Sequence, residues 1–117
     1  MTAADDEAIV RCALDYFEGW FDGDAERMRR ALHPDLAKRS LDGEALAQVT
    51  AGQMVEATAA GAGRKLDSDA RRIDVRVVEI HGDIATAVVD SNVYREYLHL
   101  SRTDDGWKIV NALWAYS

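Results

Sequence analysis

The stretch from Tyr16 to Arg39, YFEGWFDGDAERMRRALHPDLAKR, constrains the fold more than any other. It reads as a helix ending in aromatics, a tight acidic turn, a short second helix and a His-Pro stop. Beyond Arg71 the residues turn to β-branched and aromatic runs broken by glycine turns. Helices first and strands second predict an α+β domain. One curved, mostly antiparallel sheet then wraps around three N-terminal helices and encloses a pocket.

From about Asp5 to Trp20, residues Ile9, Ala13, Tyr16 and Trp20 fall at steps of three and four, flanked by Cys12 and Phe17. That spacing puts them on one helical face. Thr2 with Asp5 resembles a capping pair. Asp24 can cap a second helix through Ala25, Met28 and Leu32, which Pro34 ends. Leu36 to Leu41 predicts a short edge strand, and Asp42-Gly43 a turn. Glu44 to Ala60 predicts a third, alanine-dense helix, with Leu46, Val49 and Ala57 on one side and Met54 near their edge. Gly61 and Gly63 suit its C-terminal cap, and Gly63 to Asp69 reads as a polar, mobile loop.

Four strands follow, roughly Arg72–Ile80, Ile84–Asn92, Tyr94–Arg102 and Trp107–Tyr116. The turns are His81-Gly82-Asp83 and Asp104-Asp105-Gly106. A one-residue slip at the first turn exchanges the faces of its strands, and the sequence leaves that register open. The second strand, IATAVVDSN, is apolar or small on both faces as far as Asp90. Helices cover one face, so a partner subunit is expected on the other.

A length of 117 residues predicts a single domain, residues 1–117. Its net charge of −7 argues against nucleic acid as a partner, because phosphate needs a cationic surface. Arg27, Arg29 and Arg30 read as a solvated helix face. No apolar run approaches the roughly 20 residues that span a bilayer, so no membrane partner is expected. The start, MTAADDEA, lacks the pattern of a signal peptide. One cysteine, Cys12 on the apolar stripe, predicts a buried thiol and a cytoplasmic location. His33, His81 and His99 are scattered, and no phosphate-cradling loop is present, so neither metal nor cofactor is implied.

Three segments, GWFDGDAERMRRALHPDLAKR, YREYLHLSR and GWKIVNALW, resemble the nuclear transport factor 2-like superfamily. Within it the chain is similar to the small bacterial proteins called putative lumazine-binding. The resemblance implies a cone-shaped, cystatin-like fold with an open-ended pocket, and a homodimer through the outer sheet face. In the isomerase branch a pocket tyrosine bonds a developing enolate oxygen, a role that Tyr16 could take. That branch also places a base carboxylate near the first short strand. Here the segment offers Lys38, Arg39 and Ser40, with Asp42 only in the turn beyond.

Tyr16 and Trp20 are expected at the helical wall of an apolar-lined pocket. Asp90 ends an apolar strand run, where burial would raise its pKa and suit it to acid or base work. If Asp104-Asp105-Gly106 forms a three-residue loop, His99 lies opposite Asn111 and Tyr97 opposite Leu113, so that Tyr97, His99 and Asn111 line the pocket, whereas a four-residue loop destroys that pairing. Arg39 could hold an anionic group. Trp107 and Trp114 lie on opposite faces of a regular strand, so one fills core and the other faces pocket or partner. The candidate catalytic residues are thus Asp90, His99 and Tyr16. Tyr16, Trp20, Arg39, Met54, Asp90, Tyr97, His99, Asn111 and Trp114 are the candidate ligand-binding residues. The leading function is a dimeric binder of a small hydrophobic or mixed-polarity molecule. The alternatives are an isomerase- or cyclase-like enzyme acting on an enolisable substrate, and a protein-interaction module.

Overall fold

The computed structural model describes residues 3–117, so Thr2, the suggested cap, lies outside the described residues. Helix α1 (Ala3–Asp22) is followed by α2 (Ala25–Ala31), β1 (Leu32–Asp42), β2 (Ala45–Val49) and α3 (Ala51–Ala59). A single 3-10 turn (Arg64–Leu66) occupies the stretch expected as loop, and β3 (Ile73–His81), β4 (Ile84–Ser91), β5 (Tyr94–Thr103) and β6 (Gly106–Tyr116) complete the chain. The strands form one mixed sheet in the order β2-β1-β6-β5-β4-β3. Among the described residues, only β1 against β6 is parallel. The fold is α+β, as expected.

Period-two alternation sets the inner face. Ala85, Ala87 and Val89 of β4, Leu98 and Leu100 of β5, and Ile109 and Ala112 of β6 are buried against Ile9, Ala13, Tyr16 and Phe17 of α1. Each fully buried leucine or isoleucine adds about 1.5–3 kcal/mol. Asp15, buried on α1, clamps α2 through Arg27 Nε at 3.0 Å and a fork from Arg30 at 3.1 and 3.0 Å. The expected solvated arginine face is therefore in part an interhelical tie. Burial would raise Asp15, but the hydrogen bonds and charges of Arg30 and Arg27 outweigh it and hold the carboxyl below its usual range. Cys12 is buried and donates to the Ala31 carbonyl, and burial pushes its thiol up to about 12.

Two elements differ from expectation. The segment 44–60 is not one helix. Its first part turns back at Gly43 and pairs as β2 along β1, from Asp42 opposite Ala45 to Lys38 opposite Val49. Helix α3 starts only at Thr50, whose side chain accepts from the Gln53 N–H while the Gln53 side chain accepts from the Thr50 N–H. Strand pairing overrides the alanine-rich helix propensity. Strand β1 starts earlier than expected, at Leu32, and lies between β2 and β6 rather than at the edge. Pro34, which has no N–H to give a ladder, falls within the register break between Leu32 and Ala37.

The β3–β4 and β5–β6 hairpins close on two-residue loops, with His81 opposite Ile84 and Thr103 opposite Gly106. In β6 the register shifts between His99 and Leu100, leaving Val110 without a partner. This bulge restores the pairing of His99 with Asn111 and of Tyr97 with Leu113. The expected pairs form, by a different route. The bulge also flips the faces beyond it, so Trp107 and Trp114 both point inward rather than to opposite faces.

Candidate functional site

The buried stripe of α1 aims Tyr16 at the sheet. There β5 alternates Tyr94, Glu96, Leu98 and Leu100 inward, so a glutamate occupies a core position. On β1, Lys38 takes the inner position opposite Ala112, one step diagonally across β6 from the row that joins Ser40, Trp114 and Glu96. Three polar side chains from α1, β1 and β5 thereby converge. The Tyr16 hydroxyl donates to Glu96 Oε1 at 2.8 Å, and Lys38 Nζ lies 3.9 Å from Oε2 of the same carboxylate. Tyr16, Glu96 and Lys38 are 2, 2 and 8% exposed.

Aromatic rings enclose this cluster. Lys38 Nζ stands 5.0 Å from the Tyr16 ring centroid, 5.8 Å from Trp20 and 5.6 Å from Trp114, within cation–π range of all three. The Trp20 indole N–H donates to the Tyr94 hydroxyl at 3.1 Å, and Tyr94 meets Trp114 edge to face. Gly63 lets the chain pass beside Trp20, since a Cβ there would come within 2.2 Å of the Trp20 carbonyl oxygen. Among the described residues no acceptor lies within hydrogen-bond distance of Lys38 Nζ. Burial raises Glu96 above the usual carboxylate range, offset in part by Lys38 and by the Tyr16 hydrogen bond. Burial lowers Lys38, with Glu96 acting against it. Burial, then the charge and hydrogen bond of Glu96, push the Tyr16 hydroxyl well above 10. The void left between Tyr16, Phe17, Trp20, Lys38, Tyr94 and Glu96 is about 10 Å³. That is the lower limit for one water, so the space beside Tyr16 and Trp20 is closed rather than the open pocket expected there.

Of the expected site residues, Tyr16, Trp20 and Trp114 meet here. The others do not. Met54 is buried on α3 away from the void. Arg39, opposite Gln48 and Leu113, takes the outer face because it alternates with Lys38. Tyr97 and His99 alternate with Glu96 and Leu98, so they and Asn111 are exposed on the outer face instead of lining an inner pocket. The outer groove beside His99 and Asn111 has a volume of about 480 Å³ and also takes in Glu79, His81, Thr86 and Ser101. Asp90 also faces outward, and hydrogen bonds and charge from Arg95 and Arg72 hold its carboxyl low, opposite to the raised value expected. Asp90 and His99 therefore cannot act together with Tyr16.

Lys38 and Glu96 were not expected as site residues. The available signal was alternation: Glu96 sits in step with Tyr94 and Leu98, and Lys38 in step with Leu36. No group of three potential metal ligands occurs among the described residues. Among the described residues, no helix is long and apolar enough to cross a membrane.

The profile of the family described as "Putative lumazine-binding" matches residues 4–115. No curated protein matches the chain in sequence. Among solved structures, a nuclear transport factor 2-like protein of unknown function from Silicibacter pomeroyi DSS-3 is similar, with TM-score 0.77, 14% identity and full coverage of both chains. Another from Methylobacillus flagellatus KT has TM-score 0.73 and 21% identity, over 100% of this chain and 95% of that one. A ketosteroid isomerase-like protein from Erwinia carotovora atroseptica SCRI1043 has TM-score 0.71 and 16% identity over 98% of each chain. At these identities the likeness is one of fold.

Proposed function

We propose that this chain, which belongs to the putative lumazine-binding family of nuclear transport factor 2-like proteins, binds a small, flat, neutral carbonyl compound at Tyr16, Lys38 and Glu96. The observation behind this reading is a lysine and a carboxylate, both in buried residues, paired at 3.9 Å inside an aromatic wall. A buried ion pair adds little stability compared with well-packed apolar residues, so a pair held here suits a functional site. Nζ can donate to a carbonyl oxygen, Glu96 can accept from a ring N–H, and Trp20 and Trp114 can flank a flat ring. Lumazine, from which the family takes its name, offers that pattern of carbonyl and N–H groups. Entry requires the Lys38 stem and the half-buried Trp20 and Trp114 at the rim to swing aside.

Titration of lumazine against tryptophan fluorescence tests the reading. Lys38→Met and Glu96→Gln should each weaken binding about tenfold or more, the loss of one hydrogen bond to a charged group. His99→Ala should leave it unchanged. Binding that depends on His99 but not on Lys38 would move the site to the outer groove. If the chain is instead an acid–base enzyme, its proton-transfer group is Glu96 rather than Asp90 or His99.

We also propose a homodimer through the outer face. Val78, Ile84, Tyr97 and Leu113 are 47, 59, 49 and 49% exposed there. Burying about 800 Å² per partner would cover them. Light scattering should show a dimer for the native chain and a monomer for Leu113→Glu.

A further inference from the structure

We infer that Lys38 is a nucleophile that forms an imine with a neutral, flat aldehyde or ketone bound in its aromatic enclosure. The inference rests on the binding reading above and adds to it a covalent step. Geometry carries it. Nζ ends a flexible four-carbon stem, makes no hydrogen bond among the described residues, and borders the void of about 10 Å³ between Tyr16, Trp20 and Tyr94, which admits a flat guest once the half-buried Trp20 and Trp114 swing outward. Glu96 Oε2, at 3.9 Å, is one water or a small side-chain movement from proton-transfer distance. The enclosing rings favour a flat, apolar guest, and Glu96 repels an anionic one. Burial favours the neutral amine over the ammonium, which is how lysine nucleophiles are activated.

The step balances within the site. Glu96 takes a proton from the Lys38 ammonium, freeing the nitrogen lone pair. That pair forms a C–N bond at the carbonyl carbon, and the carbonyl π pair moves to oxygen. A proton passes from nitrogen to that oxygen, giving a neutral carbinolamine. Glu96 then returns its proton to the hydroxyl, which leaves as water while the nitrogen lone pair closes the C=N bond. The products are a protonated imine, one water and an ionised Glu96. The Tyr16 hydroxyl remains the donor that holds the carboxylate in place throughout.

Benzaldehyde with cyanoborohydride, a hydride donor that reduces imines to stable amines, tests this on the 117-residue chain. Peptide mass spectrometry then compares Lys38 with Lys65 and Lys108, the other lysines of the chain. Labelling at Lys38 should exceed both at neutral pH and fall when lumazine is present. Glu96→Gln should slow it by a hundredfold or more, the usual scale of a lost acid–base group. Lys38→Arg should abolish it while keeping the charge. If lumazine binds but Lys38 labels no faster than Lys65, the nucleophile inference fails and the binding reading stands. If Lys38 labels rapidly but lumazine neither binds nor protects, the nucleophile stands and the lumazine-type binding reading fails. If there is neither binding nor labelling, both fail. A Glu96→Gln protein that labels at the native rate overturns the assigned proton transfer.

Discussion

Glu96 and His99 lie three residues apart on β5, and the pleat sends them to opposite faces of one sheet. Inward, Glu96 loses nearly all water, accepts from Tyr16 and faces Lys38. Outward, His99 keeps its water and lies 3.5 Å from the Asn111 amide, at the limit of a hydrogen bond. Residue type alone favours the histidine as the functional group. Environment favours the glutamate, because desolvation couples Glu96, Lys38 and Tyr16 into one unit, whereas solvent keeps the outer residues independent. The inner face should therefore respond steeply and non-additively to substitution, and the outer face hardly at all.

The largest expected effect is that of Glu96→Leu. It leaves the Lys38 ammonium buried without a counter-charge, a loss of about 3–5 kcal/mol in urea denaturation. The double variant Lys38→Met with Glu96→Leu should recover most of that loss, because replacing a whole buried pair with apolar groups is near neutral or stabilising. A single-variant cost below about 1 kcal/mol would place Glu96 in water and erase the contrast between the faces.

Tyr16→Phe comes next. It deletes only the donor to Glu96 Oε1 and should cost about 1.5–3 kcal/mol, the scale of a hydrogen bond to a charged group. The same substitution in the double-variant background should cost much less, since the acceptor is gone. Equal costs in both backgrounds would show that the hydroxyl and carboxylate are not coupled.

Acid brings out a second contrast, between Glu96 and Asp15. Asp15 has a folded-state value below its unfolded one, so its contribution is present above about pH 4 and is lost as pH falls through the folded value. Glu96 has a folded-state value above its unfolded one, so its contribution is greatest below the unfolded value and declines as pH rises through the folded one. Asp15→Asn should cost about 1–3 kcal/mol at neutral pH by unbalancing the Arg27 and Arg30 tie, and should flatten the acid limb of the stability curve. Stability against pH, measured for native chain and variant, checks both signs.

These contrasts also mark how far the sequence could be read. Local chemistry was legible: the α1 stripe through Tyr16, the glycine hairpins, and the order of helices before sheet. Long-range pairing was not. Tyr16 and Glu96 lie 80 positions apart, and nothing local says that they meet. A charged residue at an inward strand position violates the binary pattern, so nothing local singled out Glu96 or Lys38 as site residues. Val110 shows the third obstacle. One unpaired residue turns Trp114 from the outer face to the inner one, and no turn signal announces it. Strand β2 was hidden by composition, because Ala45–Val49 is written in helix-favouring residues and becomes a strand only by pairing with β1.

The smallest expected effects come from the outer pair. His99→Ala and Asn111→Ala should each change stability by no more than about 0.5 kcal/mol, the usual range for exposed positions, and should add without coupling. Neither should alter the reactivity of Lys38, because the sheet separates the two faces. The result is informative because His99 and Asn111 line an outer groove of about 480 Å³. A guest bound there would couple them, giving a double-variant cost that departs from the sum of the singles only when the guest is present. Additivity with and without lumazine would confine binding to the Tyr16–Lys38–Glu96 side. Ligand-dependent coupling at His99 would place a working site on the outer face, and the inner cluster would then be a buried tie holding α1 to the sheet.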